Sequence, residues 1–277
     1  MRAGWRPLSV APLGAVLRAR EPAAWLPLLT EIADGADRIA LHFFRARDLV
    51  VDEKPDRSPV TEADRAIEAT ATRLLRARHA ELGVLGEEHG DVPGTAPARL
   101  VIDPIDGTQN FVRGIPVFAT LLAIEEDGEV VAGVASAPAL ATRWQAARGA
   151  GAFRNGRPVR VSKVGALRDA LLLHANLGRG DPTPPAGFFA LAGEVARTRG
   201  FGDFYQHVLV AEGAGDAALD PEANAWDIAA LQVIVEEAGG RATTLAGKRS
   251  IYGRSLVTSN GVLHAQVLDA LAGGGVR

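Results

Sequence analysis

The sequence predicts a mixed α and β fold in which helices and sheets pack against one another in layers. Apolar residues recur at helical spacing in two long segments, 21–47 and 226–238. Between them, short apolar runs alternate with turn pairs such as Asp127-Gly128 and Asn155-Gly156, which is typical of antiparallel hairpins. With 47% hydrophobic residues and no linker rich in Pro or Ser, the chain is expected to bury a sizeable core.

The first part of the chain is predicted to begin with two helices. The first spans 21–47, and Pro27 is expected to kink it or to delay its start. A polar loop at 48–58, which holds Lys54, leads to a second helix at 61–79. Two short strands are predicted next, at 83–85 and 99–102, and Pro104 is expected to stop the second of them.

The remainder of the chain is predicted to contain mainly strands at first and mainly helices later. Strands are expected at 117–124, 129–136, 142–147 and 256–258, with a further hairpin at 149–161 around Asn155-Gly156. Helices are expected at 186–197, 205–212, 226–238 and 261–271. This pattern alone gives a mixed α and β class and no more specific architecture.

Residues 21–277 are predicted to form a single compact domain of two closely joined halves, about 21–150 and 151–277. Residues 1–20 are expected to be a disordered extension and not a signal peptide, because their apolar stretch is short and is broken by Pro7 and Pro12. No apolar run reaches the roughly 18–20 residues that a membrane span needs, so no membrane partner is expected.

The overall charge and the absence of cysteine narrow the functional classes. A net charge of −3 argues against a nucleic-acid-binding surface, which needs a basic patch. The chain has no Cys, which excludes disulfides, thiolate metal sites and Cys nucleophiles. This composition favours a cytoplasmic protein.

The most informative segment is VIDPIDGT at 101–108. Asp103 and Asp106 are expected to lie in a turn at the end of a buried strand, followed at once by Gly107 and Thr108. Carboxylate oxygens are ligands that Mg²⁺ accepts, and a glycine allows backbone N–H groups to approach an anion. The segment therefore favours a metal-assisted phosphate site, although Asp-Pro and Asp-Gly pairs also occur in ordinary turns.

Three further acidic segments bear on this interpretation. Glu87 and Glu88 follow a short apolar run, and each could simply be a solvated loop residue. Asp227 opens an apolar helix, a position that the helix macrodipole favours in any protein. Thr61 and Asp64 have the spacing of a capping box at a helix start. Each segment has an ordinary structural explanation when it is taken alone.

Taken together, the segments resemble the inositol monophosphatase-like family of Mg²⁺-dependent, lithium-sensitive phosphatases. The resemblance extends from about Pro22 to Leu271 and rests on DPIDGT at 103–108, on GEE at 86–88 upstream and on Trp226-Asp227 downstream. It implies an α+β fold, the five-layered α-β-α-β-α sandwich that this family shares with fructose-1,6-bisphosphatases. It also implies a homodimer and inhibition by lithium.

The resemblance also assigns roles to individual residues. Metal ligands for about two to three Mg²⁺ ions would come from Glu87, Asp103, Asp106, Asp227 and the carbonyl oxygen of Ile105. The attacking group would be a water that Asp64 and Thr108 orient and deprotonate, and Glu87 would also support catalysis through the third ion. The backbone N–H groups of Gly107 and Thr108 would bind the phosphate of a small-molecule ester. Glu88 and Lys54 receive no such role.

Residues of the second half are expected to select the ester. Inositol phosphatases typically have a small neutral residue where this chain has Asp203, and Asp220 and Glu222 add two more acids. Together with Asp106, these residues would bind a cationic leaving group through charge-assisted hydrogen bonds. The surrounding segments resemble the histidinol-phosphate phosphatases of the superfamily, whose leaving group carries an ammonium and an imidazole. Asp203 could equally be an N-cap residue of the following helix.

Three functions therefore follow from the sequence. Hydrolysis of histidinol phosphate comes first, and hydrolysis of inositol-1-phosphate or of a range of sugar phosphates is the alternative. A regulator without catalytic activity is less compatible with the acids Asp64, Glu87, Asp103, Asp106 and Asp227, because a regulator has no need of the complete set.

Overall fold

The structure, a computed structural model, describes residues 21–46, 49–53, 59–178 and 182–273. The extension predicted at 1–20 and the loop residue Lys54 lie outside the described residues. In chain order the elements are α1 (Leu26–Phe43), β1 (Val51–Glu53), β2 (Pro59–Thr61), α2 (Glu62–Arg78), β3 (Gly83–Gly86), β4 (Gly90–Val92), β5 (Ala98–Asp106), α3 (Thr108–Val112), β6 (Ala119–Glu126), β7 (Glu129–Ala137), β8 (Thr142–Ala147), β9 (Gly151–Arg154), β10 (Arg157–Pro158), β11 (Leu171–His174), α4 (Phe188–Glu194), β12 (Arg197–Gly200), α5 (Asp203–Ala211), β13 (Ala217–Asp220), α6 (Ala225–Glu237), β14 (Arg241–Thr243), β15 (Leu256–Ser259) and α7 (His264–Leu271).

Two large sheets form the framework. The first has eight strands in the order β10-β9-β8-β7-β6-β5-β3-β4, in which only β3 and β5 run parallel. The second has five strands in the order β12-β11-β13-β15-β14, with β11 parallel to both of its neighbours. A separate two-stranded ribbon joins β1 to β2.

Among the described residues, three apolar clusters lie between five layers, and one of them fills both faces of the middle layer. Helices α1 and α2 pack on one face of the eight-stranded sheet. Helices α5 and α6 fill the space between its other face and the five-stranded sheet. Helices α4 and α7 cover the outer face of the five-stranded sheet. The predicted α-β-α-β-α sandwich is thus confirmed, and the site described below lies where the ends of β5, α5 and α6 meet in its middle.

The first two helices begin as the sequence predicts. A 3₁₀ turn at Pro22–Trp25 precedes α1, so that Pro27 falls in the first turn, where its missing N–H costs no hydrogen bond. The predicted helix at 21–47 is too long at its end, since α1 stops at Phe43. Helix α2 begins after Thr61, whose hydroxyl caps it.

The second half contains strands that the sequence pattern did not indicate. These are β11, β12, β13 and β14. The helix predicted at 186–197 is shorter, because α4 ends at Glu194 and Arg197 begins β12. The eight-stranded sheet also extends past residue 150 to Pro158, and one apolar cluster contains residues of both halves. This shared core supports the proposal of a single domain.

In the described ranges, no helix combines the length and the apolar character that crossing a membrane requires.

Candidate active site

Asp103 and Asp106 owe their common orientation to a β-bulge in β5. Asp103 lies opposite Leu121 of β6, and Asp106 lies opposite Ala119. Over this stretch β5 therefore uses one more residue than β6. Residues three apart in a regular strand point to opposite faces, and one extra residue returns them to the same face. The prediction that Pro104 stops the strand and leaves both acids in a turn is wrong, because β5 continues through the bulge to Asp106.

Asp227 reaches the same place from the other half of the chain. It lies in the first turn of α6, where its Oδ2 accepts a hydrogen bond of 2.6 Å from the backbone N–H of Asn224. Carboxylate oxygens of Asp103, Asp106 and Asp227 all lie within 4.8 Å of one another. Asp227 is therefore both a helix-capping acid and a member of the acidic cluster.

This cluster is electrostatically costly without a cation. Burial raises the pKa of Asp103 well above its usual value, and the charges of Glu87 and Asp106 raise that pKa further. Burial also raises the pKa of Asp106 and brings the pKa of Asp227 to about 7. Among the described residues, Oδ1 of Asp103 is buried and has no hydrogen-bond partner. A buried oxygen without a donor, surrounded by further carboxylates, fits a hard divalent cation.

Glu87 lies on the loop after β3, which is held by a residue that the sequence analysis missed. The buried carboxylate of Glu68 accepts hydrogen bonds from the backbone N–H groups of Glu88, at 2.9 Å, and His89, at 3.1 Å. Its Oε1 also lies 2.8 Å from Nδ1 of the His89 ring. Glu68 therefore fixes the loop that presents Glu87. The available signal was that Glu68 follows Asp64 by one turn on the same face of α2.

Two adjoining cavities contain most of the predicted site residues. The first, of about 400 Å³, is lined by Glu87, Asp103, Ile105, Asp106, Gly107, Thr108, Asn110, Asp203 and Asp227, among others. The second, of about 210 Å³, shares Asp106, Asp203 and Asp227 with the first and adds Asp220 and Glu222. The predicted metal and phosphate residues thus lie directly beside the predicted substrate residues.

Asp64 and Thr108 are the pair predicted to act on the attacking water. Each of them makes hydrogen bonds with other groups of the protein. The N–H and the hydroxyl of Thr61 donate to Oδ2 of Asp64, at 2.8 and 2.5 Å. The hydroxyl of Thr108 donates to the carbonyl oxygen of Ile105, at 2.8 Å. Asp64 is buried and is not among the residues that line the two cavities, and burial raises its pKa to about 7.

Gly107 forms a tight cradle at the start of α3. Its backbone is left-handed, with φ of 85°, a conformation that favours glycine. A Cβ atom here would lie 3.0 Å from the carbonyl oxygen of Val117 and 3.3 Å from Oδ2 of Asp203. A larger residue would therefore crowd Val117 and Asp203 at the wall of the first cavity.

Asp203 is the first residue of α5. The N-cap of this helix is Gly202, so the alternative that Asp203 is the N-cap is wrong. The backbone of Asp203 is left-handed, with φ of 51°. Its Oδ2 accepts a hydrogen bond of 3.2 Å from the side-chain amide of Asn110. Burial, with the charge of Asp220, raises the pKa of Asp203 to about 7. The next N–H, of Phe204, donates to Oδ2 of Asp106 at 2.6 Å and ties α5 to the acidic cluster.

Asp220 and Glu222 differ in how firmly they are held. Asp220 ends β13 and accepts hydrogen bonds from the buried side chains of Gln206 and His207. Glu222 is 54% exposed at its side chain and pairs with the exposed Arg254 at 2.8 Å. Neither His207 nor Arg254 could be identified from the sequence, because each is distant along the chain from the acid that it contacts.

Without bound metal, the acidic cluster is expected to destabilise the protein as the pH rises. Because folding raises the pKa values of Asp227 and Asp203 to about 7, the native state binds more protons than the unfolded state between about pH 4 and about pH 7. This contribution to stability is present at acidic pH and is lost as the pH rises through the raised pKa values. We expect the Tm of the metal-free protein to fall by several degrees from about pH 5.5 to about pH 8, at about 2–4 °C per kcal/mol.

A divalent cation should remove this fall in Tm, so the rise in Tm on adding Mg²⁺ should grow with pH. Thermal unfolding followed by circular dichroism, with chelator and then with excess Mg²⁺, measures both trends. A metal-free Tm that is constant or increases over this range would contradict the destabilising role of the cluster.

Comparison with known sequences finds one family. The model of the inositol monophosphatase family matches residues 23–273. A Mycobacterium tuberculosis protein named histidinol-phosphatase is 47% identical to this chain, over 90% of it and 98% of that protein. A Streptomyces coelicolor protein of the same name is 44% identical, over 89% and 96%. An inositol-1-monophosphatase of Rhizobium meliloti is 36% identical, over 80% and 86%.

Comparison with solved structures finds the same fold. The extragenic suppressor protein SuhB of Bartonella henselae superposes with a TM-score of 0.83 and 30% identity, over 91% of this chain and 99% of that one. An IMPase of Thermotoga maritima gives a TM-score of 0.79 and 29% identity, over 91% and 98%.

Proposed function

The chain belongs to the inositol monophosphatase family, and on this premise we propose that it hydrolyses histidinol phosphate to histidinol and inorganic phosphate. Membership of the family and the named relatives make it a phosphomonoester hydrolase. The observation that carries the choice of substrate is the second cavity, where Asp203 and Asp220 adjoin the acidic cluster. Relatives named histidinol-phosphatase, matched over nearly their full length, support the same choice.

The acidic cluster suits a metal, and we assign about two to three Mg²⁺ ions to it. Asp103, Asp106, Asp227, Glu87 and the carbonyl oxygen of Ile105 would hold them. When bound, such ions neutralise charge on the phosphoryl group and lower the pKa of a water molecule. Two observations support this assignment. Asp103 Oδ1 has no hydrogen-bond partner among the described residues, and oxygens of three carboxylates lie within 4.8 Å of one another.

Asp64 is the proposed acceptor of the proton from the attacking water. In the part of the chain that the structure describes, both hydrogen bonds to its carboxylate go to Oδ2. Oδ1 is left to accept a hydrogen bond from water, and a carboxyl group whose pKa is about 7 is suited to proton transfer near neutral pH. Thr108 would orient the same water with its hydroxyl.

The ester phosphate is assigned to the backbone N–H groups of Gly107 and Thr108. Their position at the start of α3, with the left-handed Gly107 before it, is suited to an anion. Because Asp103 and Asp106 flank the same cavity, a bare phosphate would be repelled there, and binding of the ester would depend on metal.

The leaving group would extend into the second cavity. Histidinol carries an ammonium group and an imidazole, and the carboxylates of Asp203 and Asp220 can accept charge-assisted hydrogen bonds from them. Asp106 would contribute from the boundary between the two cavities. Glu222 would contribute less, since it is exposed and already paired with Arg254.

The remaining expectations do not depend on the geometry of the site. We propose a homodimer and inhibition by lithium from the family resemblance, and a cytoplasmic location from the composition.

Release of phosphate from histidinol phosphate and from inositol-1-phosphate, measured side by side with Mg²⁺ and then with chelator, tests the proposed function. We expect kcat/KM to favour histidinol phosphate by about tenfold to a hundredfold or more, because a hydrogen bond to a charged group contributes about 1.5–3 kcal/mol. Activity on both esters should disappear with chelator. Preference for inositol-1-phosphate would overturn the substrate assignment, and undiminished activity with chelator would overturn the metal assignment.

A further inference from the structure

His207 lies directly behind the Asp220 carboxylate, on the side away from the second cavity. It is on α5 and fully buried, and its Nε2 lies 2.8 Å from Oδ2 of Asp220. Its other ring nitrogen, Nδ1, lies 2.8 Å from the hydroxyl oxygen of Thr258, which is fully buried on β15. We infer that His207 is a positioning residue that, with Thr258 behind it, fixes Asp220 to recognise the cationic leaving group. This inference rests on the proposed function.

A carboxylate only accepts hydrogen bonds, so the contact with Asp220 requires the ring proton of His207 on Nε2. The other nitrogen, Nδ1, then accepts from the Thr258 hydroxyl. The other oxygen of Asp220, Oδ1, accepts a hydrogen bond of 2.7 Å from the side-chain amide of Gln206. Within the described residues, each carboxylate oxygen therefore has one donor and keeps further acceptor capacity for the substrate.

These buried hydrogen-bond partners distinguish Asp220 from Glu222, the other acidic residue in the same segment. Gln206, His207 and Thr258 are all fully buried, so they hold the Asp220 carboxylate in a single orientation. Among the described residues, Glu222 pairs with Arg254, and both side chains are more than half exposed. Recognition groups need locked rotamers to discriminate between ligands. Selection for the cation is therefore assigned to Asp220, and His207 supplies one of the hydrogen bonds that hold it.

The test compares variants on two substrates. His207→Phe keeps an aromatic ring at this position but removes the N–H that donates to Asp220. We expect KM for histidinol phosphate to rise about tenfold or more, kcat to change little, and KM for inositol-1-phosphate to change less than about threefold. His207→Gln, which keeps a donor, should recover part of the loss. Thr258→Val, which removes only the hydroxyl, should give a smaller change in the same direction.

The chain provides a matched control in His264. This histidine is also buried, and its two ring nitrogens lie 2.8 Å from the hydroxyl oxygens of Thr243 and Ser259. It contacts no carboxylate in these bonds and lies on α7. His264→Phe should therefore reproduce any loss of Tm caused by removing a buried imidazole while leaving the ratio of the two KM values unchanged.

A double-mutant cycle separates positioning from general packing. If His207 acts through Asp220, His207→Phe should raise KM by less than about threefold further in the Asp220→Asn background. The inference would be overturned if the increases in KM caused by His207→Phe and Asp220→Asn were additive, or if His207→Phe raised KM equally for both substrates. In that case a wild-type preference for histidinol phosphate would still uphold the proposed function. A wild-type protein without that preference would overturn both.

Discussion

Replacing Asp103 by Asn is expected to reduce turnover by about a thousandfold or more while the fold is retained. Asp103 is the most deeply buried member of the acidic cluster and the one whose Oδ1 has no partner within the described residues. The amide is nearly isosteric but neutral, so it is a poorer ligand for a hard cation. A metal that stabilises charge in the transition state contributes several kcal/mol, and each 1.36 kcal/mol corresponds to a tenfold change in rate.

The stability of this variant provides an independent readout. Removing one negative charge relieves repulsion within the cluster, so the metal-free Asp103→Asn protein should have a Tm equal to or above that of the metal-free wild type. Its Tm should also respond less to Mg²⁺. Steady-state kinetics and thermal unfolding, each with and without Mg²⁺, check both statements. A kcat close to that of the wild type would exclude Asp103 as a required metal ligand.

Asp216 offers a matched control for the replacement of a buried Asp by Asn. It is 6% exposed and accepts hydrogen bonds from Ser162 and from the backbone N–H of Leu171, outside the two cavities. Asp216→Asn should lower Tm, because it disturbs satisfied hydrogen bonds. Its kcat should stay within about threefold of the wild-type value, because Asp216 does not line the site.

Replacing Asp64 by Asn is expected to lower kcat by about a hundredfold to ten-thousandfold, the usual contribution of a general base. The variant should keep its helix cap, because an amide oxygen can still accept the hydrogen bonds that Thr61 donates to Oδ2. Affinity for Mg²⁺, measured from the rise in Tm, should change much less than kcat. A comparable loss in both quantities would assign Asp64 to metal binding and not to proton transfer.

Thr61→Ser is the corresponding control for Asp64. It keeps the hydroxyl and the N–H that reach the carboxylate, and it removes only one methyl group. Its kcat should remain near the wild-type value, with a modest loss of stability. A large loss of kcat in Thr61→Ser would mean that helix geometry at this position, and not the Asp64 charge, limits turnover.

The parts of the fold that could be predicted from sequence are those with a strong local signal. Helix α6 is apolar on nearly every side and is bounded by Asn224 and Gly239-Gly240, so its predicted limits were nearly correct. The hairpins at Asp127-Gly128 and Asn155-Gly156 were found because left-handed turns need such residues. The strands β11 and β13 were missed because Leu171–His174 and Ala217–Asp220 show no alternation, being buried on both faces.

The candidate site also has residues that could be predicted from the sequence and residues that could not. Its carboxylates could be identified because the motifs that contain them are short and ordered along the chain. The groups that support them were missed, because Glu68 and His207 reach their partners through tertiary packing. The helical spacing of Glu68 after Asp64 does not show which groups Glu68 contacts. Neither residue belongs to a motif, and nothing local distinguishes a buried histidine that supports an acid from one that fills a core.

The bulge in β5 makes the local strand pairing as important as the identity of the two acids. If β5 paired regularly with β6 at its present length, Asp106 would lie one residue out of register and would turn to the opposite side of the sheet. Deleting Pro104 or Ile105 would instead leave the two acids two residues apart in a regular strand, where they still share a face. This segment should therefore tolerate changes of side chain at 104 and 105 as long as the bulge itself persists.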